Sequence, residues 1–212
     1  MKTIRNLFVA LVVLGLIGGG LYGWWALDLR WRPHVITKNQ AEIGKLLQGA
    51  GWVSPGLSGP KLYLITYRDS FDGTRYQESE FARLQAKGVD TRVIVVARPD
   101  LNGQPKSTPA ERSTVAEIWV NRGWDLYQKW NAAPTDSWPA KGIPAADGDV
   151  ARSAVVEVGR DLVERLTPLL KRSGVRFDYP TLVWWAKDGT MKAVSGAKPQ
   201  TYGAIRKDLG AE

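Results

Sequence analysis

Two short runs, Lys61–Tyr67 (KLYLITY) and Thr91–Ala97 (TRVIVVA), constrain this chain more than any other feature. Both are rich in β-branched and aromatic residues, and both are apolar at nearly every position rather than at alternate ones. That pattern belongs to a strand buried on both faces, the setting of a parallel strand covered by helices on either side. Between them Thr74–Ala86 reads as a helix. Thr74 and Gln77 are spaced as a capping box, Tyr76, Phe81 and Leu84 make a sparse apolar stripe, and Gly88 is the stop. Strand, helix and strand with such short joins form a right-handed βαβ unit.

Helical signals dominate the next segment. Thr108, Pro109 and Glu111 supply a cap, a proline at the first helical position and a capping-box acid, and the helix they open runs to about Trp130 with a break at Gly123. A proline-bearing loop, Asn131–Gly148, leads to a helix over Val150–Leu166, after which Thr167 and Pro168 open a further short turn. Thr181–Ala186 (TLVWWA) is a strand, Lys187, Asp188 and Gly189 form a turn, and Met191–Val194 returns antiparallel. A helix from about Pro199 to Leu209 closes the domain. The reading is an α/β domain ordered β-α-β, helical insertion, β-β-α. Trp184 and Trp185 are adjacent in one strand and therefore point to opposite faces, where each is a packing residue.

The amino-terminal part differs in kind. Lys2 and Arg5 precede an uncharged apolar run from Leu7 to Leu27, which is long enough to cross a bilayer as a helix of about 20 residues. Tyr22, Trp24 and Trp25 stand at its far end, where aromatic rings favour the membrane–water interface. No small-residue cleavage site follows, so an uncleaved anchor is expected rather than a signal peptide. The expected organisation is a tail and single transmembrane helix over 1–28, a linker with a short helix at Ala41–Leu47 over 29–60, and the α/β domain over 61–212. The amino terminus stays inside and the large domain is translocated.

Composition removes whole classes of chemistry. The chain of 212 residues contains no cysteine and one histidine. Disulfides, thiol nucleophiles, iron–sulfur ligation and cysteine-bearing zinc sites are therefore excluded, as is any multi-histidine metal centre within one chain. The one histidine, His34, reads as a linker residue. The net charge is +8, but the basic residues are interleaved with acids rather than clustered, apart from Arg30–Lys38. That distribution describes a solvated surface, and no nucleic acid partner, metal or cofactor is expected.

Three segments carry a family resemblance: KLYLITYRDSFDGTRYQESEF, KGVDTRVIVVARPD and DYPTLVWWAKDGTMKAVSG. In order and spacing they resemble the thioredoxin fold of the bacterial periplasmic thiol:disulfide interchange (Dsb) proteins, especially the isomerase branch. They are similar to that family's strand leading to its C-x-x-C helix, its second strand, and its cis-proline loop with the hairpin that follows. AERSTVAEIW is similar to the family's helical insertion. The resemblance covers Lys61 to Leu209. It implies a periplasmic domain on the bacterial inner membrane and a shallow groove for an extended polypeptide. Carried over, the groove comprises Ser70, Phe71, Asp72, Gly73, Tyr179, Pro180 and Thr181, with the Tyr179 backbone free to pair with an added strand.

The departure matters as much as the likeness. Ser70 and Gly73 occupy the positions of the family's two cysteines, and a serine hydroxyl cannot perform thiol–disulfide exchange. About 33 residues separate the apolar run from Lys61, so the family's dimerisation domain is not expected. The reading is a membrane-anchored, redox-inactive domain that is not an enzyme and binds another membrane or periplasmic protein, as a subunit or as a chaperone-like scaffold. The alternative is an enzyme using non-thiol chemistry at the Ser70–Gly73 loop.

Overall fold

The computed structural model describes residues 13–23, 25 and 32–212. The chain forms two compact units, Met1–Arg32 and Pro33–Glu212. In the first, residues 13–23 are helical, Leu14, Leu16 and Ile17 are exposed, and the rings of Tyr22 and Trp25 lie 6.0 Å apart. The expected span Leu7–Leu27 falls at 7–12, at Trp24 and at 26–27 outside the described residues. No helix among the described residues is long and apolar enough to cross a membrane.

The second unit is built on a five-stranded mixed sheet: β1 (His34–Val35), β2 (Lys61–Thr66), β3 (Asp90–Val95), β4 (Thr181–Trp185) and β5 (Met191–Ser195). Their spatial order is β1-β5-β4-β2-β3. β2 and β3 are parallel from Lys61 opposite Asp90 to Thr66 opposite Val95, and every other pairing is antiparallel. Strands β2 and β4 lie inside the sheet, and Leu62 to Ile65 and Leu182 to Trp184 are fully buried. The near-continuous apolar runs thus mark buried strands, as their composition requires.

Helices cover both faces: α1 (Gln40–Gly49), α2 (Phe71–Tyr76, a π-helical turn Gln77–Phe81, then Ala82–Ala86), α3 (Pro109–Asn121), α4 (Trp124–Ala132), α5 (Val150–Lys171) and α6 (Pro199–Leu209). The two adjacent tryptophans divide between the faces. Trp184 is buried and its Nε1 donates to Asp208 Oδ2 of α6 at 3.1 Å, while Trp185 packs toward Gly44 of α1 and the edge of Tyr63. On the α6 side, Tyr76 of α2 meets Tyr202 edge-on at 4.9 Å, and Arg206 pairs with the buried Glu80 at 2.7 Å.

Four sequence expectations are corrected. Residues 33–60 are not a linker: β1 extends the sheet along β5, Val53 bridges Val93 on the opposite edge, and Ile36, Ile43, Leu47 and Val53 are buried in the common core. Ile43 and Leu47 belong to the short helix expected at Ala41–Leu47, whereas Ile36 and Val53 are isolated apolar positions outside any periodic run. His34 accordingly sits in β1. Helix α2 begins at Phe71 rather than Thr74, because Ser70 is the better-placed cap and its Oγ accepts from Gly73 N–H at 3.2 Å. Helix α5 runs through Pro168 to Lys171 instead of ending near Leu166. Thr167 donates its hydroxyl back to Val163 O at 2.7 Å rather than capping a new turn, and buried Leu166, Leu169 and Leu170 hold the helix to the core despite the missing proline N–H.

The insertion follows its signals closely. Thr108 and Glu111 form a reciprocal capping box on α3, Pro109 occupies the first turn, and Gly123 separates α3 from α4 as its N-cap.

Candidate functional site

Parallel strands place the segments that follow them at one end of the sheet, and the antiparallel β4 and β5 bring two more loops there. Residues 67–73, 96–107, 178–180 and 196–198 therefore meet at the carboxyl end of β2 and β3. The contacts among them confirm the convergence. Tyr67 meets Tyr179 edge-to-face at 5.1 Å, and Phe177 meets Tyr179 at 5.2 Å. Arg98 lies 3.8 Å above the Tyr67 ring and donates to both carboxylate oxygens of Asp69, at 3.1 and 3.2 Å. Lys198 pairs with Asp72.

The structure brings all seven sequence-derived groove residues to this end, each with a distinct environment. Ser70 is 2% exposed, and its hydroxyl is engaged in capping α2. Phe71, the first residue of that helix, is 76% exposed, so its ring does not fold into the core. Asp72 stands in the first turn, favourably placed against the helix dipole, and holds Lys198. Gly73 leaves no space for a side chain: a Cβ there would collide with Thr66 Oγ1 and lie 2.9 Å from Ser70 Oγ.

Across from them, the Tyr179–Pro180 peptide bond is cis. Pro180 O accepts from Gly196 N–H at 2.8 Å, and the buried Thr181 donates its hydroxyl to Asp178 O at 2.6 Å, which ties this loop to the end of β5. Burial pushes the Tyr179 phenol up to about 12, so it remains a neutral hydroxyl. The Tyr179 N–H is engaged within its own loop, donating to Asp178 Oδ1 at 2.8 Å. An aspartate beside its own chain forms such local bonds readily, and the preference competes with intermolecular pairing.

Several participants escaped the sequence reading. Arg68, nearly buried, donates to the carbonyls of Trp130 and Ala133 and stacks 4.9 Å from the Trp130 ring, pinning the β2–α2 loop to the end of α4. Gln77 continues that tie, donating to Gly73 O at 3.2 Å and accepting from the Tyr127 hydroxyl. Glu111 is buried, and burial raises its carboxyl to about 7. Beside Tyr179 an apolar cavity of about 350 Å³ opens between Val96, Ala97, Pro99, Leu101 and Val163, with Leu101 58% exposed at its rim. Arg68 was visible only as a charge directly after an apolar strand, a weak signal of a buried cation. Of the three residues expected at a membrane interface, Tyr22 and Trp25 are exposed in the first unit, and Trp24 lies outside the described residues.

The architecture of this chain is similar to that of a solved structure. ScsC of Proteus mirabilis in a compact conformation aligns with a TM-score of 0.51 and 12% identity, over 99% of this chain and 96% of that one. The fold is thioredoxin-like. BcfH of Salmonella enterica Typhimurium aligns at a TM-score of 0.47 and 16% identity, over 100% of this chain and 91% of that one. Both neighbours are Dsb-like thioredoxin-fold proteins, whereas this chain has no cysteine. No protein-family model and no curated protein matches the sequence.

Proposed function

We propose that this chain is a redox-inactive, Dsb-like thioredoxin domain that binds an extended segment of another protein along the edge formed by Phe71, Asp72 and the Tyr179–Thr181 loop. The observation that carries this reading is the 76% exposed Phe71 at the entrance to α2, in a chain without a single cysteine. An exposed aromatic ring beside Asp72 and the Tyr179–Thr181 loop offers the kind of anchor that protein interfaces favour. The neighbouring groups support binding rather than chemistry. Ser70 is buried and spends its hydroxyl on a cap, Asp72 is neutralised by Lys198, and Tyr179 stays protonated.

The apolar run Leu7–Leu27 and the charges before it support a single-pass anchor in a bacterial inner membrane, with the amino terminus cytoplasmic and the domain periplasmic. The partner would then be another membrane or periplasmic protein. Affinity purification of the full chain from detergent-solubilised membranes tests the reading. A discrete partner should co-purify with the parent and be lost with Phe71→Ser while the variant remains folded. Equal recovery with both proteins, or recovery of no partner, would remove this edge from the function.

A further inference from the structure

Glu111 is a buried acid that no binding role has yet used. It occupies the third position of α3, where its Oε2 accepts from Thr108 N–H at 3.4 Å, while Oε1 is buried without a hydrogen-bond partner. The charges bearing on it come from three directions: Arg68 and Asp69 from the β2–α2 loop, Arg98 from the segment after β3, and Arg112 from its own helix. Arg112 is committed elsewhere, to Asp147 at 2.5 Å. Arg98 is only partly committed. Its terminal nitrogen donates to Asp69, yet its Nε is a buried donor without a partner. A lone acceptor and a lone donor are thus buried in the same cluster, and each costs desolvation free energy until it is matched.

We propose that Glu111 is a proton-operated latch on the binding edge. Neutral, it leaves Arg98 to Asp69 and the β2–α2 loop seated as observed. Ionised, it draws the Arg98 and Arg68 guanidinium groups toward α3 and loosens the Arg98–Asp69 pair. Arg98 is a suitable element to move, because it stacks on Tyr67, which in turn packs on Tyr179. The change at Glu111 therefore reaches the two loops that flank Phe71. Burial, opposed first by the Thr108 N–H bond and then by Arg98 and Arg68, brings the carboxyl to about 7, so both states are populated around neutral pH. This inference supplies regulation to the binding reading and rests on that reading only for its purpose.

Nuclear magnetic resonance titration of the full chain in detergent micelles tests the latch without any partner. The Glu111 carboxyl carbon should titrate with a midpoint near 7, and the amides of Asp69, Arg98 and Tyr179 should shift with the same midpoint. Glu111→Gln should abolish the amide transitions, which assigns them to this carboxyl. Asp69→Asn removes the competing anion, and should lower the Glu111 midpoint by about one unit or more, since the freed Arg98 then favours the ionised form. A Glu111 midpoint below about 5, or amides that do not follow it, or transitions that persist in Glu111→Gln, would overturn the latch. Should Glu111→Gln not fold, an unmoved midpoint in Asp69→Asn overturns it independently. A chain that shows the latch but captures no partner keeps this inference and loses the binding reading.

Discussion

Replacing Gly73 by alanine asks whether the carboxyl-end loop has been rebuilt around the absence of a side chain. Glycine in a helix costs about 0.5–1 kcal/mol relative to alanine, so in an open turn the substitution would stabilise. Here the new Cβ would run into Thr66 Oγ1 and stand 2.9 Å from Ser70 Oγ and 3.1 Å from Ser70 Cβ. Neither obstacle yields readily. Thr66 is β-branched, 3% exposed and fixed at the end of the interior strand β2, while moving Ser70 Oγ forfeits the cap of α2. Overpacking of this kind costs about 1–3 kcal/mol, which outweighs the helical gain and leaves a net loss of roughly 1–2 kcal/mol. In a domain of this size that lowers Tm by roughly 2–8 °C. Thermal unfolding followed by circular dichroism measures it. Thr66→Ala should recover about 1 kcal/mol of the loss in a double-mutant cycle, because it removes the colliding oxygen. An unchanged or raised Tm in Gly73→Ala would refute the packing argument. The same geometry implies that Ser70→Cys with Gly73→Cys destabilises the fold instead of restoring a redox pair.

Arg68→Met should cost roughly 2–4 kcal/mol in denaturant unfolding, since it strands the carbonyls of Trp130 and Ala133 that the guanidinium now satisfies. A change below about 0.5 kcal/mol would show that the loop is held by other contacts. The raised Glu111 carboxyl makes stability depend on pH in a defined direction. Its folded value of about 7 lies above the ordinary 4.5, so its stabilising contribution is complete below pH 4.5 and is lost as pH rises through 7. The full difference corresponds to at most about 3 kcal/mol. Glu111→Gln keeps a capping-box side chain but cannot ionise, so the variant should gain stability relative to the parent between pH 5 and 8. Parallel stability curves for the two proteins would contradict the assignment. Asp178→Ala should free the Tyr179 N–H and speed its hydrogen exchange, with no change at Gly196.

What the sequence made legible follows from how strongly each signal depends on local chemistry. Both parallel strands were readable because burial on two faces demands continuous apolar runs, and α3 was readable because Thr108, Pro109 and Glu111 agree on one starting point. The first cap of α2 was not. Thr74 and Gln77 satisfy the capping-box pattern, but Ser70 wins because the tight turn closed by the bond from Ser70 N–H to Tyr67 O starts the helix earlier. Strand β1 is two residues long and pairs only with a strand far away in sequence, so nothing local announces it. The groove residues were placed by resemblance and do meet at one end of the sheet. The polar groups that support them were invisible, because Arg68, Arg98 and Glu111 acquire their partners only through tertiary contact.

The most direct test of the account is site-specific photocrosslinking in living bacteria, with a photoreactive phenylalanine analogue at Phe71 and, separately, at Asp188 in the turn at the opposite end of β4 and β5. The account predicts a discrete protein adduct from position 71 and none from position 188. Adducts of equal yield from both positions, or none from position 71, would contradict it.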